Sequence, residues 1–266
     1  MKCSNPIFGI CLLFLAVGCD RAPHSTIVSE SLLDRLARAE GAPLFEKMAP
    51  AQTGVEFSHR MAMKHPLSRL NSSGFVCGGV CIGDFNGDGR PDLFLANGPD
   101  KNGLFLQRDG FRFENVTQKA GVDGGDAWAS GAAAVDFDGD GLDDLVHLGR
   151  LRPGRTGGMV EVFLQREGGV WRELPTFETG QRPFGIAARD LTGDGRAEIV
   201  VSAQNSHHVN LWFPDGAAEP RFKRAADLGV GTGPLDLLFA DLTGDGRVRL
   251  LVANAFSNDL SVIEVR

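Results

Sequence analysis

The chain has 266 residues, 42% of them hydrophobic and 23% charged, with net charge −7, no Tyr, and 35 Gly against 34 Asp plus Glu. These figures exclude a disordered or collagen-like chain and leave room for one large domain or two ordinary ones. The acidic balance argues against nucleic acid as a partner, because neutralising phosphates takes an excess of Lys and Arg.

Lys2, the apolar run Ile7 to Val17 and the small pair Gly18-Cys19 have the order of a secretory signal over residues 1–18. The run is well short of the ~20 residues that span a bilayer. Leu15-Ala16-Val17-Gly18-Cys19 resembles the lipobox of bacterial lipoproteins, although Ala16 stands where Leu is usual. That resemblance implies a lipid on Cys19 and a periplasmic or cell-surface protein anchored to a membrane through it. Residues 19–43 read as a tether with a short helix: Ser31-Leu32-Leu33-Asp34 has the form of a capping box, and Gly41 and Pro43 stop it. Cys77 and Cys81, on a regular strand, lie about 13 Å apart, beyond the ~7 Å reach of a disulfide, so they read as small buried side chains.

From residue 76 the chain repeats itself. DFNGDGRPD (Asp84 to Asp92), DFDGDGLDD (Asp136 to Asp144), DLTGDGRAE (Asp190 to Glu198) and DLTGDGRVR (Asp241 to Arg249) begin 52, 54 and 51 residues apart. A period of ~40–50 residues is that of propeller blades. Short apolar runs enter and leave each loop, such as Val80-Cys81-Ile82 before the first and Leu93 to Ala96 after it, and they lack strict alternation, as strands covered on both faces do. Second hairpins turn at Asp109-Gly110, Gly168-Gly169 and Asp215-Gly216. The expectation is an all-β propeller of four-stranded antiparallel blades over residues 44–266. Leu44-Phe45-Glu46-Lys47-Met48 imitates Phe113 to Val116, so this N-terminal strand is expected to close the last blade and remove an exposed edge.

Side chains at loop positions 1, 3, 5 and 9 and the carbonyl at 7 can converge, while Gly at 4 and 6 supplies the turns. The ligand positions are Asp84, Asn86, Asp88, Arg90 and Asp92; Asp136, Asp138, Asp140, Leu142 and Asp144; Asp190, Thr192, Asp194, Arg196 and Glu198; and Asp241, Thr243 and Asp245. Arg90, Leu142 and Arg196 offer only backbone oxygen. Such an all-oxygen set suits Ca²⁺, whereas Zn²⁺ would want Cys or His. Unoccupied, the carboxylates are expected to repel one another and rise in pKa. An EF-hand is excluded, because Leu95, His147, Val201 and Val252 stand where its bidentate Glu belongs. The second loop is richest in carboxylates. In the fourth, Arg249 at position 9 replaces the cation or weakens its hold, so about three Ca²⁺ sites are expected.

At these loops the sequence resembles the FG-GAP/VCBS repeats of integrin-α-type propellers, and Phe111 to Val122 followed by Asp136 to Asp144 is similar to bacterial repeat proteins of the ASPIC/UnbV-associated kind. The resemblance covers roughly residues 44–266. It implies calcium loops that brace blades while ligands bind elsewhere, though integrin-type propellers have seven blades and four are counted here.

Nucleotide-binding, zinc-protease and serine-hydrolase motifs are absent. The expectation is therefore a non-catalytic module that binds protein or glycan at a bacterial envelope. The alternative is a polysaccharide lyase, whose basic groups would come from His59, Arg60, Lys64, His65 and Arg69. His207 and His208 are expected on opposite faces of a strand, and Trp128, Trp171 and Trp212 in packing roles.

Overall fold

The computed structural model describes residues 47–59, 78–98, 100–125, 128–149 and 157–265. The expected signal, Cys19, the tether, Cys77 and the basic residues Arg60 to Arg69 lie outside the described residues. The chain divides into two compact units, Met1–Lys47 and Met48–Arg266, and every element below belongs to the second.

Four antiparallel sheets follow one another along the chain. After a one-turn helix α1 (Pro50–Thr53), the first blade is β1 (Gly79–Gly83), β2 (Asp92–Ala96), β3 (Gly103–Arg108) and β4 (Arg112–Asn115), followed by α2 (Thr117–Ala120). The second is β5 (Ala129–Val135), β6 (Asp144–Gly149), β7 (Gly157–Arg166) and β8 (Val170–Glu173), with β9 (Phe177–Gln181) also paired to the long β7. The third is β10 (Pro183–Arg189), β11 (Glu198–Ala203), β12 (His208–Pro214) and β13 (Phe222–Gly229), and the fourth is β14 (Pro234–Ala240), β15 (Arg249–Asn254) and β16 (Asp259–Glu264). This is the expected all-β, blade-like propeller architecture, and among the described residues no sheet closes into a barrel.

Two blades depart from the four-strand count. β7 is long enough for β8 to pair with residues 163–166 and β9 with residues 157–160, so the second sheet has five strands. The fourth sheet has three strands among the described residues. Of the strand expected at Leu44–Met48, residues 44–46 lie outside the described residues, and Lys47 and Met48 belong to no strand.

Strand alternation gives each blade two apolar rows, one per face. On the face toward the next blade, Cys81–Phe94–Leu104, Ala133–Val146–Val162 and Ala187–Val200–Leu211 are opposed in register on blades one to three. On the face toward the preceding blade, Ala134–Leu145–Phe163, Ala188–Ile199–Trp212 and Phe239–Leu250–Ile263 are the corresponding rows of blades two to four. Each forward row packs with the next blade's backward row, forming three apolar clusters at the three junctions. In the second and third blades burial on both faces is why the strands read as continuous apolar runs; the expectation fails for Val80-Cys81-Ile82, where Val80 and Ile82 are 62% and 63% exposed.

The inner strands β1, β5, β10 and β14 stand side by side in that order. Glycine permits the approach: a Cβ on Gly79 would lie 2.8 Å from Gly131 Cα, and one on Gly185 would lie 2.7 Å from Leu235 O. Trp128 and Trp212 are buried, and Trp171 packs against Phe85 with ring centroids 6.0 Å apart, so the tryptophans have packing roles as expected, Trp171 and Trp212 at blade junctions. His207 corrects its expectation. It follows a 3-10 turn (Gln204–Ser206) in the left-handed region, φ 55°, and accepts from Gly233 N instead of lying on a strand.

Candidate metal loops

All four loops connect the first two strands of a blade and fold alike. The position-1 carboxylate gathers backbone N–H groups from within its loop: Asp136 accepts from Gly139 and Gly141 at 2.7 and 2.8 Å, Asp190 from Gly193 and Gly195 at 2.6 and 2.9 Å, Asp84 from Gly89 at 2.7 Å and Asp241 from Gly246 at 2.7 Å. The position-5 carboxylates of Asp88, Asp140, Asp194 and Asp245 each accept the N–H of position 7 at 2.9–3.0 Å. Such tight winding needs left-handed backbone at positions 4 and 6, as Gly139 (φ 82°) and Gly141 (φ 86°) adopt.

Position 9 has a structural duty that spacing alone does not reveal. Asp92 and Asp144 are fully buried, and each ties two backbone segments together. Asp92 accepts from Phe85 N at 2.8 Å and Gln107 N at 2.7 Å; Asp144 accepts from Phe137 N and Gln165 N at the same distances. Glu198, also buried, accepts from Leu191 N at 2.7 Å. The second N–H comes in each case from the backbone of an in-phase residue on the third strand, Gln107 or Gln165.

The electrostatics differ from simple mutual repulsion. Burial is the leading cause that pushes up the carboxyls of Asp92 and Glu198. Asp144 rises to about 8, through burial first and then the charges of Asp138 and Asp140, against the pull of its two N–H donors. Asp88 is lowered by its hydrogen bond from Arg90, and Asp241 by backbone N–H groups, Gly246 foremost. Asp245 falls to about 2 through the N–H of Arg247 and then Arg249.

The second loop brings Asp136, Asp138 and Asp144 together, with one carboxylate oxygen of each within 4.8 Å of the others. Asp138 Oδ1 is buried without a hydrogen-bond partner. A hard cation fits this set, because it is all oxygen and leaves one buried acceptor unspent. Arg166, which loop spacing does not single out, reaches the same loop from the end of β7: Nη1 lies 2.5 Å from Asp138 Oδ2 and 3.0 Å from Asp140 Oδ2. In the first loop Arg90 pairs with Asp88 at 2.7 Å and with Asp109 at 3.0 Å. In the fourth, Arg249 donates to Thr243 Oγ1 at 3.2 Å and Asp245 Oδ2 at 3.3 Å, and it lies 3.9 Å from Asp241 Oδ1. Asp190, Thr192, Asp194 and Glu198 share the third loop, whose Arg196 turns away to donate to Asp138 O at 3.4 Å. Asp143 Oδ2 accepts Asp84 N at 2.8 Å. Loops one to three are thereby linked across blade boundaries.

A shallow hollow between the first two blades is lined by Phe85, Asn86, Arg108, Glu114 and Trp171. Arg108 and Glu114 pair within it at 2.6 Å.

The fold and its loops define a propeller-type repeat protein. The chain carries FG-GAP-like repeats, matched at residues 84–147 and 190–252; each match begins at the first Asp of one loop and runs through the next. Cartilage acidic protein 1 of Mus musculus is 26% identical over 221 residues, which cover 74% of this chain and 32% of that protein. The chain thus matches about a third of its relative's length.

Proposed function

We propose that this chain is a calcium-stabilised, non-catalytic binding scaffold, held at a bacterial envelope through a lipid on Cys19 and recognising protein or glycan with its blade loops. The FG-GAP-like repeats support a binding scaffold. The observation that carries the calcium reading is the second loop, where three carboxylates converge around a buried, unpartnered Asp138 oxygen. Asp84, Asn86, Asp88, the Arg90 carbonyl and Asp92 would hold the first ion; Asp136, Asp138, Asp140, the Leu142 carbonyl and Asp144 the second; Asp190, Thr192, Asp194, the Arg196 carbonyl and Glu198 the third. In the fourth loop Arg249 stands among Asp241, Thr243 and Asp245, so that loop would bind a cation weakly if at all. At the ~0.1–1 mM affinity of extracellular modules, tenfold excess calcium adds about 1.4 kcal/mol per site.

The experiment is a melting series. Chelator is expected to lower the melting temperature, and Ca²⁺ to restore it better than Mg²⁺. Equal curves with and without chelator defeat the calcium reading. Unsaturated products released from uronate polymers would replace the scaffold with a lyase. Loss of membrane association in Cys19→Ala tests the anchor.

A further inference from the structure

Blades one to three each bury a forward apolar row against the backward row of the next blade. The register continues this pattern onto blade four, where Leu238, Leu251 and Val262 are the matching forward row. Among the described residues it joins no apolar cluster: Leu238 is 56% and Val262 51% exposed, and Leu260 beside them is 56% exposed. Blade one shows the counterpart. Its backward row is Ile82–Leu93–Phe105, with Phe105 buried under Phe57 at a ring separation of 6.4 Å. On the inner strand Ile82 and its neighbour Val80 are 63% and 62% exposed. None of the three apolar clusters joins blade four to blade one. Among the described residues, five of the ten large exposed apolar side chains therefore lie on these two faces.

We propose that a second copy of this chain covers these faces, the Leu238–Leu251–Val262 row of one copy packing on the Ile82–Leu93 side of blade one of the other. The molecule itself supplies the template, because a forward row on a backward row is the contact made at all three internal junctions. The partner face is thus one that this chain already presents. The contact is heterologous, and used twice by two copies it closes a ring of eight blades, within the range that propellers adopt. Closure would leave no large apolar blade face in water. The inference does not depend on whether the loops hold calcium.

Sedimentation velocity and light scattering on the full-length chain test it. The expected mass is twice the 28.5 kDa of the chain. Leu238→Asp and Ile82→Asp, at sites too exposed to threaten the fold, are each expected to weaken the dimer at least tenfold while keeping the melting temperature of the dissociated chain. An equimolar mixture of the two variants keeps one junction free of either substitution and is expected to recover dimer. A monomeric parent chain overturns the proposal, whether a segment of the same chain or nothing at all covers the faces. A dimer insensitive to Ile82→Asp also overturns it, because blade four would then be pairing with itself.

Discussion

Arg166 Nη1 donates to Asp138 Oδ2 at 2.5 Å, across 28 residues of sequence. The same nitrogen reaches Asp140 at 3.0 Å, and Nη2 donates to Ala218 O at 3.1 Å in the β12–β13 turn of the next blade. A guanidinium therefore rests on two of the carboxylates in the loop with the most acids. A cation entering that loop would have to displace it or share it, so a carboxylate count alone would overstate any affinity of the second loop for a cation.

Arg166→Ala is accordingly expected to raise calcium affinity at the second loop about two- to fivefold, the equivalent of a partly exposed ion pair of ~0.5–1 kcal/mol. It should also lower stability in chelator by a similar amount. Titration calorimetry, with Arg108→Ala as the control, checks this, since Arg108 sits at the same place in the first blade but pairs with Glu114. Equal affinities for parent and Arg166→Ala would show that the pair does not compete.

How the loops fold was largely written in the sequence. Paired glycines at positions 4 and 6, in phase four times, permit only a tightly wound loop, and the flanking apolar runs need cover on both faces. The reach of Arg166 was not legible, because it depends on how far β7 extends past its neighbour, and strand length follows from pairing with β8 and β9 together. Nor was the anchoring role of position 9, since a ligand Asp and an Asp that ties two backbones occupy the same slot. Strand β9 escaped for a related reason: Phe177 reads as part of a connector until Trp212 and Phe222 are beside it, at ring separations of 4.5 and 5.5 Å.

The anchoring role separates two aspartates of one loop. Asp144 is buried and satisfies two backbone N–H groups, so Asp144→Ala leaves both without their acceptor and should cost about 2–4 kcal/mol even in chelator. Asp140→Ala removes an exposed carboxylate and its pair with Arg166, so it should cost at most about 1 kcal/mol in chelator, well below Asp144→Ala, while reducing the stabilisation added by calcium. Urea unfolding of both variants, with and without calcium, reads the difference. Equal losses in chelator would mean that position 9 is only a ligand.

Cys81 faces the second blade as part of the first junction. Burial, and then the charge of Asp143, push its thiol up to about 12. At pH 8 the reactive thiolate is therefore about one part in ten thousand of this cysteine. Folded parent protein and Cys81→Ser are expected to show the same number of fast-reacting thiols toward a disulfide reagent, with the parent gaining one more than Cys81→Ser on unfolding. A fast thiol lost in Cys81→Ser would mean that the first junction opens readily.

Arg249 stands where the other loops place a buried carboxylate, and its guanidinium lies among Asp241, Thr243 and Asp245. Asp245 is held near 2 by the Arg247 N–H and by Arg249. Because this value lies below that of the unfolded chain, the interaction favours folding above about pH 4 and is lost as pH falls toward 2. Arg249→Glu would give the fourth loop the same acids as the third, with Thr at position 3 in both. In chelator the variant is expected to be less stable than the parent at pH 7, since the introduced carboxylate would crowd the two that Arg249 now compensates. With calcium that deficit should shrink or reverse, and the ion count by calorimetry should rise by one. A calcium count that stays the same would show that backbone winding, more than the charge at position 9, decides whether such a loop takes a cation.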